Sequence, residues 1–158
     1  SISGNKTEEA EDKKDDKKVA IIGAGGASRA IAYVIKELGA KACVFNRTLA
    51  KARLIAEKYG FDYATLGPES LEKLNKYSDV IVQTTSKGMG SNDPSNPEND
   101  PIWFYDFNGE EYVYDAIYSP EVTPVMARAD ASGCKVCNGA GMLLYQGIAQ
   151  FELYKQLV

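Results

Sequence analysis

The chain has 158 residues, 44% of them apolar and 10% aromatic, with a net charge of −4, which suits about one globular domain. That acidic balance argues against a nucleic-acid partner, since phosphate contacts need clustered Lys and Arg. With no histidine in the sequence, a Ser-His-Asp triad, a Cys-His pair and a His-ligated zinc site are all excluded within the chain.

No stretch reaches the ~20 apolar residues of a membrane span, and no basic start leads into an apolar signal segment. The expectation is a cytoplasmic protein with no membrane partner. Residues 1–18, "SISGNKTEEAEDKKDDKK", are dominated by charges, with Ile2 the one large apolar side chain. Such a segment buries too little surface to offset its ordering entropy. It reads as a flexible tail or linker, and residues 19–158 as the folded domain.

Val19 to Ile22 is a short, mostly β-branched run ending in glycines, the pattern of a central parallel strand buried on both faces. Ala27, Ala30, Ile31, Val34, Ile35 and Leu38 then recur at helical spacing, and Gly39 closes the segment. A strand is predicted over Ala42–Phe45. A helix follows with Ala52, Ile55, Ala56 and Tyr59 inward, Thr48 as its N-cap and Gly60 as its stop. Next come a weak strand near Tyr63–Leu66, a short helix near Ser70–Lys76 and a strand over Val80–Gln83. The Gly/Pro/Asn/Ser-rich "SKGMGSNDPSNPENDP" is a long loop, read either as a lid or as a mobile insertion. A strand over Tyr112–Ala116, a helix over Thr123–Ala131, a strand over Lys135–Cys137 and a long helix over Met142–Leu157 complete the chain. The alternation predicts an α/β fold: a doubly wound, Rossmann-type parallel sheet of about six strands, helices on both faces, and a ligand crevice at the strands' carboxyl ends.

Three cysteines make an odd set, which argues against a disulfide framework. Cys134 and Cys137 form a C-x-x-C, but "GCKVCNGAG" places them on a short strand rather than at the helix N-terminus that activates a redox cysteine. A structural pair is expected, and no metal site.

"IIGAGGASRA" sets Gly23, Gly25 and Gly26 directly after a buried strand and directly before an amphipathic helix. In a dinucleotide site the first glycine allows the sharp turn and the second lets the backbone approach a pyrophosphate, which rests on the helix's free N–H groups. The third fingerprint position is Ser28, a departure small enough for close helix packing. The next strand ends "VFNRT", where an NAD site carries an acid for the ribose 2′-hydroxyl. Arg47 stands there instead, with Lys51 one turn further on. A guanidinium pairs with a 2′-phosphate that a carboxylate would repel, so the expected cofactor is NADP.

Five stretches, "GAGGASRA", "NRT", "TTSKGM", "YDAIYSPEVTP" and "GAGMLLYQGIAQFELY", stand in an order and spacing that resemble the NADP-binding domain of shikimate dehydrogenases, including those fused to a dehydroquinate dehydratase. The likeness runs from about Val19 to the C-terminus. It implies that Gly23, Ala24, Gly25, Gly26 and Ala27, with Ser28, cradle the pyrophosphate. Asn46, Arg47, Thr48 and Lys51 would hold the 2′-phosphate. Thr84, Thr85 and Ser86 would lie beside the cofactor ribose, although three such hydroxyls also suit a strand cap. Ala116 and Gly139 would face the nicotinamide with Met142 packed on its ring, and Tyr118 and Gln146 would bind the hydroxylated acid, shikimate.

The family's Ser-x-Ser, and the lysine and the Asn-Thr-Asp aspartate of its acid–base chemistry, belong to a separate N-terminal substrate domain. Nothing like them stands before Val19, so that domain is expected to be missing and no catalytic residue is assigned. The activity implied for the whole enzyme is NADPH-dependent reduction of 3-dehydroshikimate to shikimate, in aromatic amino-acid biosynthesis. A quinate/shikimate or other hydroxy-acid dehydrogenase domain, and a non-catalytic NADP-binding regulatory module, are the alternatives.

Overall fold

The computed structural model describes residues 17–117 and 122–138. The expected final helix over Met142–Leu157 lies outside them. Six parallel strands form one sheet: β1 (Lys18–Ile22), β2 (Lys41–Asn46), β3 (Asp62–Thr65), β4 (Val80–Gln83), β5 (Tyr112–Asp115) and β6 (Lys135–Asn138). Their order is β3-β2-β1-β4-β5-β6. The chain therefore builds outward from β1 to β3, then returns to the other side of β1. That reversal opens a crevice at the carboxyl ends of β1 and β4, where doubly wound sheets bind dinucleotides.

Four α-helices are described: α1 (Gly26–Glu37), α2 (Leu49–Tyr59), α3 (Leu71–Lys76, after a 3-10 turn at Pro68–Ser70) and α4 (Pro124–Ala131). Side chains alternate across the strands, so the sheet feeds two cores. Val19, Ile21, Val44, Val82 and Tyr114 pack beneath α1 and α2 with Ile31, Ile35, Ile55 and Ala56. Ala20, Ile22, Phe45, Ile81 and Val113 face the other way, onto Leu74 of α3, Val125 and Ala129 of α4, and Ile102 and Tyr105 of the long loop. Helices on both faces account for the near-continuous apolar runs of β1 and β4, which have no solvent face.

The long loop is not a free insertion. Asp100, wholly buried, accepts from Arg128 Nε of α4 at 2.9 Å, from Ser95 Oγ at 2.7 Å and from the Ile102 amide at 2.9 Å. The same guanidinium donates to the Ile102 and Tyr105 carbonyls and lies 4.6 Å from the Phe107 ring centroid. This cross-bracing fastens residues 95–107 to α4, and Gly88 turns into the loop at φ +98°.

The C-x-x-C pair is divided by the sheet. Cys134 is buried in the α3/α4 core and Cys137 packs against the α1/α2 core. Three positions apart on an extended chain, their side chains point to opposite faces. Both are free thiols, and burial pushes Cys134 up to about 11, the reverse of an activated redox cysteine.

Candidate functional site

The turn after β1 is set by sterics. Gly23 sits at φ +110°, and a Cβ there would meet the Thr84 hydroxyl and approach the Thr85 methyl to 3.1 Å. Its amide donates to the Phe45 carbonyl at 2.7 Å, tying the exit of β1 to β2. Thr84 ties it to β4: both its amide, at 2.9 Å, and its hydroxyl, at 2.7 Å, donate to the Ile22 carbonyl. Thr84 therefore spends its hydroxyl on the strand ends and acts as the cap. The Thr85 hydroxyl accepts from the Lys87 amide at 3.3 Å, and Ser86 is exposed.

Beyond Gly23 the backbone opens. A Cβ at Gly25 or Gly26 would meet nothing within 4 Å. Gly25 is the N-cap of α1 with no side-chain capping bond and no acid in the first turn, so the helix's leading N–H groups and positive dipole end face open space. Gly25, Gly26 and Ala27 are exposed and Ala24 half-buried, while Ser28 is wholly buried. Its hydroxyl donates back to the Gly25 carbonyl at 2.6 Å, and its small volume brings α1 close to the sheet.

At the end of β2, Asn46 closes the turn by donating from Nδ2 to the Thr48 carbonyl at 2.9 Å. Thr48 holds the N-cap position of α2, but its hydroxyl makes no capping bond, contrary to the expectation; its carbonyl accepts from the Lys51 and Ala52 amides. The first turn of α2 also lacks an acid. Arg47 and Lys51 are exposed. The region thus presents two cations, an uncapped helix start and no carboxylate, a set suited to a phosphate monoester.

On the other side of β1, Ala116 leaves β5 with its amide donating to the Gln83 carbonyl at 2.9 Å. Tyr118, Gly139, Met142 and Gln146 lie outside the described residues. Sequence reasoning passed over Gln83 and Asp115, both wholly buried at the last positions of β4 and β5. The available signal was a polar residue closing each of the apolar runs "VIVQ" and "YVYD". Burial, with Asp100 adding a like charge, pushes Asp115 up to about 6, against the lowering pull of hydrogen bonds from Thr123, Ile117 and Gln83.

Among the described residues, no group of three or more Cys, Asp or Glu side chains is placed to hold a metal, and no helix is long and apolar enough to cross a membrane. An open groove lined by Lys36, Phe61, Asp62 and Tyr77 lies at the strands' amino ends, the edge of the sheet opposite the glycine turn.

The family model for shikimate / quinate 5-dehydrogenase matches residues 6–90. The chain belongs to this family. Its similar proteins include an NADP(+) shikimate dehydrogenase from Bartonella henselae, 38% identical over 84% of this chain and 45% of its own length. A chloroplastic bifunctional 3-dehydroquinate dehydratase/shikimate dehydrogenase from Arabidopsis thaliana is 36% identical over 89% of this chain and 23% of its own. Among solved structures, the Thermus thermophilus shikimate 5-dehydrogenase in complex with NADP(H) and shikimate superposes with a TM-score of 0.61 at 32% identity, covering 89% of this chain and 49% of that one. The chain spans about half the length of the single-function shikimate dehydrogenases it matches.

Two outcomes follow from this geometry. A serine at position 25 would offer its Oγ to the leading N–H groups of α1. Gly25→Ser should hold or raise the melting temperature, since Ser is at least as good an N-cap as Gly, and should weaken NADP binding by competing for the same donors. Calorimetry on both proteins checks this, and undiminished NADP affinity contradicts it. For Asp115, a folded-state value of about 6 lies above the unfolded 3.8. Its contribution to stability is therefore complete below about pH 4 and lost as pH rises through about 6. Denaturation of wild type and Asp115→Asn should show a stability difference that changes between about pH 4 and 6 and levels off above about pH 7, with wild type losing ground as pH rises. A constant difference would refute the assignment.

Proposed function

We propose that residues 19–158 form the NADP-binding domain of a shikimate dehydrogenase-like oxidoreductase, residues 1–18 being a charged linker. One observation carries the reading: an open glycine cradle at an uncapped helix, beside a β2 exit that bears Arg47 and Lys51 and no carboxylate. The N–H groups of Gly25 to Ala27 take the pyrophosphate, and Arg47 and Lys51, with Asn46 and Thr48 shaping the turn, take the 2′-phosphate. Thr85, Ser86 and Ala116 at the ends of β4 and β5, with Gly139 and Met142 by the family resemblance, would hold the nicotinamide half. NADP supplies the hydride chemistry when bound.

This chain's share of the reaction is orientation. By the family resemblance, Tyr118 and Gln146 would supply one wall of a site for a hydroxylated cyclohexene carboxylate, shikimate. The opposite wall and the proton-transferring groups belong to the family's N-terminal substrate domain. The relatives named as NADP(+) shikimate dehydrogenases, and the neighbour solved with NADP(H) and shikimate, support this reading.

NADP should bind the chain more tightly than NAD, and Arg47→Ala should remove much of the difference. Loss of a charged hydrogen-bonding group corresponds to roughly 1.5–3 kcal/mol, or about ten- to hundredfold in affinity. Titration calorimetry with both cofactors reads this directly, and equal affinities in the unmutated chain would sink the idea. The chain mixed with NADP and shikimate should give no rise at the reduced-nicotinamide absorbance band, because positioning by both walls accounts for roughly 7–11 kcal/mol of such barriers. Fusing the family's substrate domain in front should restore turnover. Turnover by the unfused chain would overturn the division of labour, and a folded but inactive fusion would favour the non-catalytic NADP-binding module.

A further inference from the structure

Gln83 and Asp115 are register partners on neighbouring parallel strands, both wholly buried, with Gln83 Nε2 3.4 Å from Asp115 Oδ1. The Gln83 amide serves the loop after β4 from both ends. Oε1 accepts from the Thr85 amide, and Nε2 donates to the carbonyls of Thr85 at 3.0 Å and Lys87 at 3.5 Å. The Asp115 carboxylate does the same beyond β5. Oδ1 accepts from the Ile117 amide at 2.8 Å, and Oδ2 accepts the Thr123 hydroxyl at 2.6 Å. Thr123 caps α4 through the Met126 amide at 3.4 Å. One amide–carboxylate pair thus fixes three backbone segments at the carboxyl edge of the sheet.

Packing alone does not call for these groups. The positions two residues earlier on the same strands, Ile81 and Val113, fill the same core with apolar side chains, and burying an amide and a carboxylate costs free energy unless every polar atom is bonded. What the pair adds is the shape of the loops. In the strand order, β4 and β5 lie across β1 from β2, so a dinucleotide with its adenosine phosphate at Arg47 extends its other half over the loops the pair controls.

We propose that Gln83 and Asp115 are positioning residues for the nicotinamide half of the bound dinucleotide, acting through the 84–87 loop and the Ala116–Ile117 exit, with no part in holding the adenosine half. The proposal rests on the NADP reading above.

The experiment compares two probes by calorimetry on the whole 158-residue chain: NADP, and adenosine 2′,5′-bisphosphate, which keeps the 2′-phosphate and lacks the nicotinamide. Asp115→Ala and Gln83→Leu should weaken NADP about tenfold or more. Both should leave the bisphosphate within about twofold, since the Gln83 and Asp115 side chains bond to Thr85, Lys87, Ile117 and Thr123 rather than to the glycine turn or the start of α2. Asp115→Asn keeps an acceptor for Ile117 and a donor toward Thr123, and should recover most of the NADP affinity. If Asp115→Ala does not fold, Gln83→Leu, an apolar replacement of similar size, gives the same reading. Parallel loss of both ligands, or loss of neither, overturns the proposal. Failure of the unmutated chain to bind either probe overturns the NADP reading itself, and the proposal with it, and is told apart by that control.

Discussion

The exit of β1 at Gly23 is the constraint on which the carboxyl edge of the sheet depends. Three strand ends meet there: the Gly23 amide reaches β2 at Phe45, and Thr84 at the end of β4 returns two donors to Ile22. The threonine hydroxyl occupies the space a Cβ at position 23 would need, and the backbone has turned to φ +110°. Only glycine meets both conditions without strain. Because the turn is tight, α1 starts three residues after it, at Gly26, with its leading N–H groups uncapped by any side chain.

Polar groups at this edge fall into two populations with different energetics. Gln83, Asp115, Thr123 and Asp100 are buried and bonded, and in low dielectric each bond is strong while each unbonded atom is costly. They set shape. Arg47 and Lys51 are exposed, where a charge costs little to keep and remains available to an incoming anion. The edge of the sheet thus pairs a rigid, internally satisfied frame with a cationic rim. The Arg128–Asp100 pair belongs to the frame, since it fastens residues 95–107 to the helix whose N-terminus Thr123 and Asp115 define.

Reading the sequence placed all six strands and the described helices to within one or two residues, because strands buried on both faces read as short apolar runs closed by turn residues, and helices with one apolar side repeat at helical spacing. The glycine turn was legible for the same reason: Gly23, Gly25 and Gly26 stand between a closed strand and an opening helix. The long loop was not legible. Its composition indicates irregular backbone, and nothing in that composition shows that Asp100 meets Arg128 twenty-eight positions later. Thr48 illustrates a smaller limit. Its residue type and position suit an N-cap, yet the neighbouring Asn46 amide closes the turn and the Thr48 hydroxyl does not cap.

By itself the sequence determined the α/β alternation, the family, the glycine turn between β1 and α1 and the absence of an acid after β2, all properties of residue type and local spacing. Tertiary structure alone decided which polar residues work together. Gln83 and Asp115 are separated by thirty-two positions and become partners through the parallel register of β4 and β5. Cys134 and Cys137 are three positions apart and are parted by the sheet. The reason is the same in both cases: a strand's side chains alternate faces, so contact depends on which strands pair and in what register, and that is settled by burial of the whole sheet rather than by neighbours in the chain.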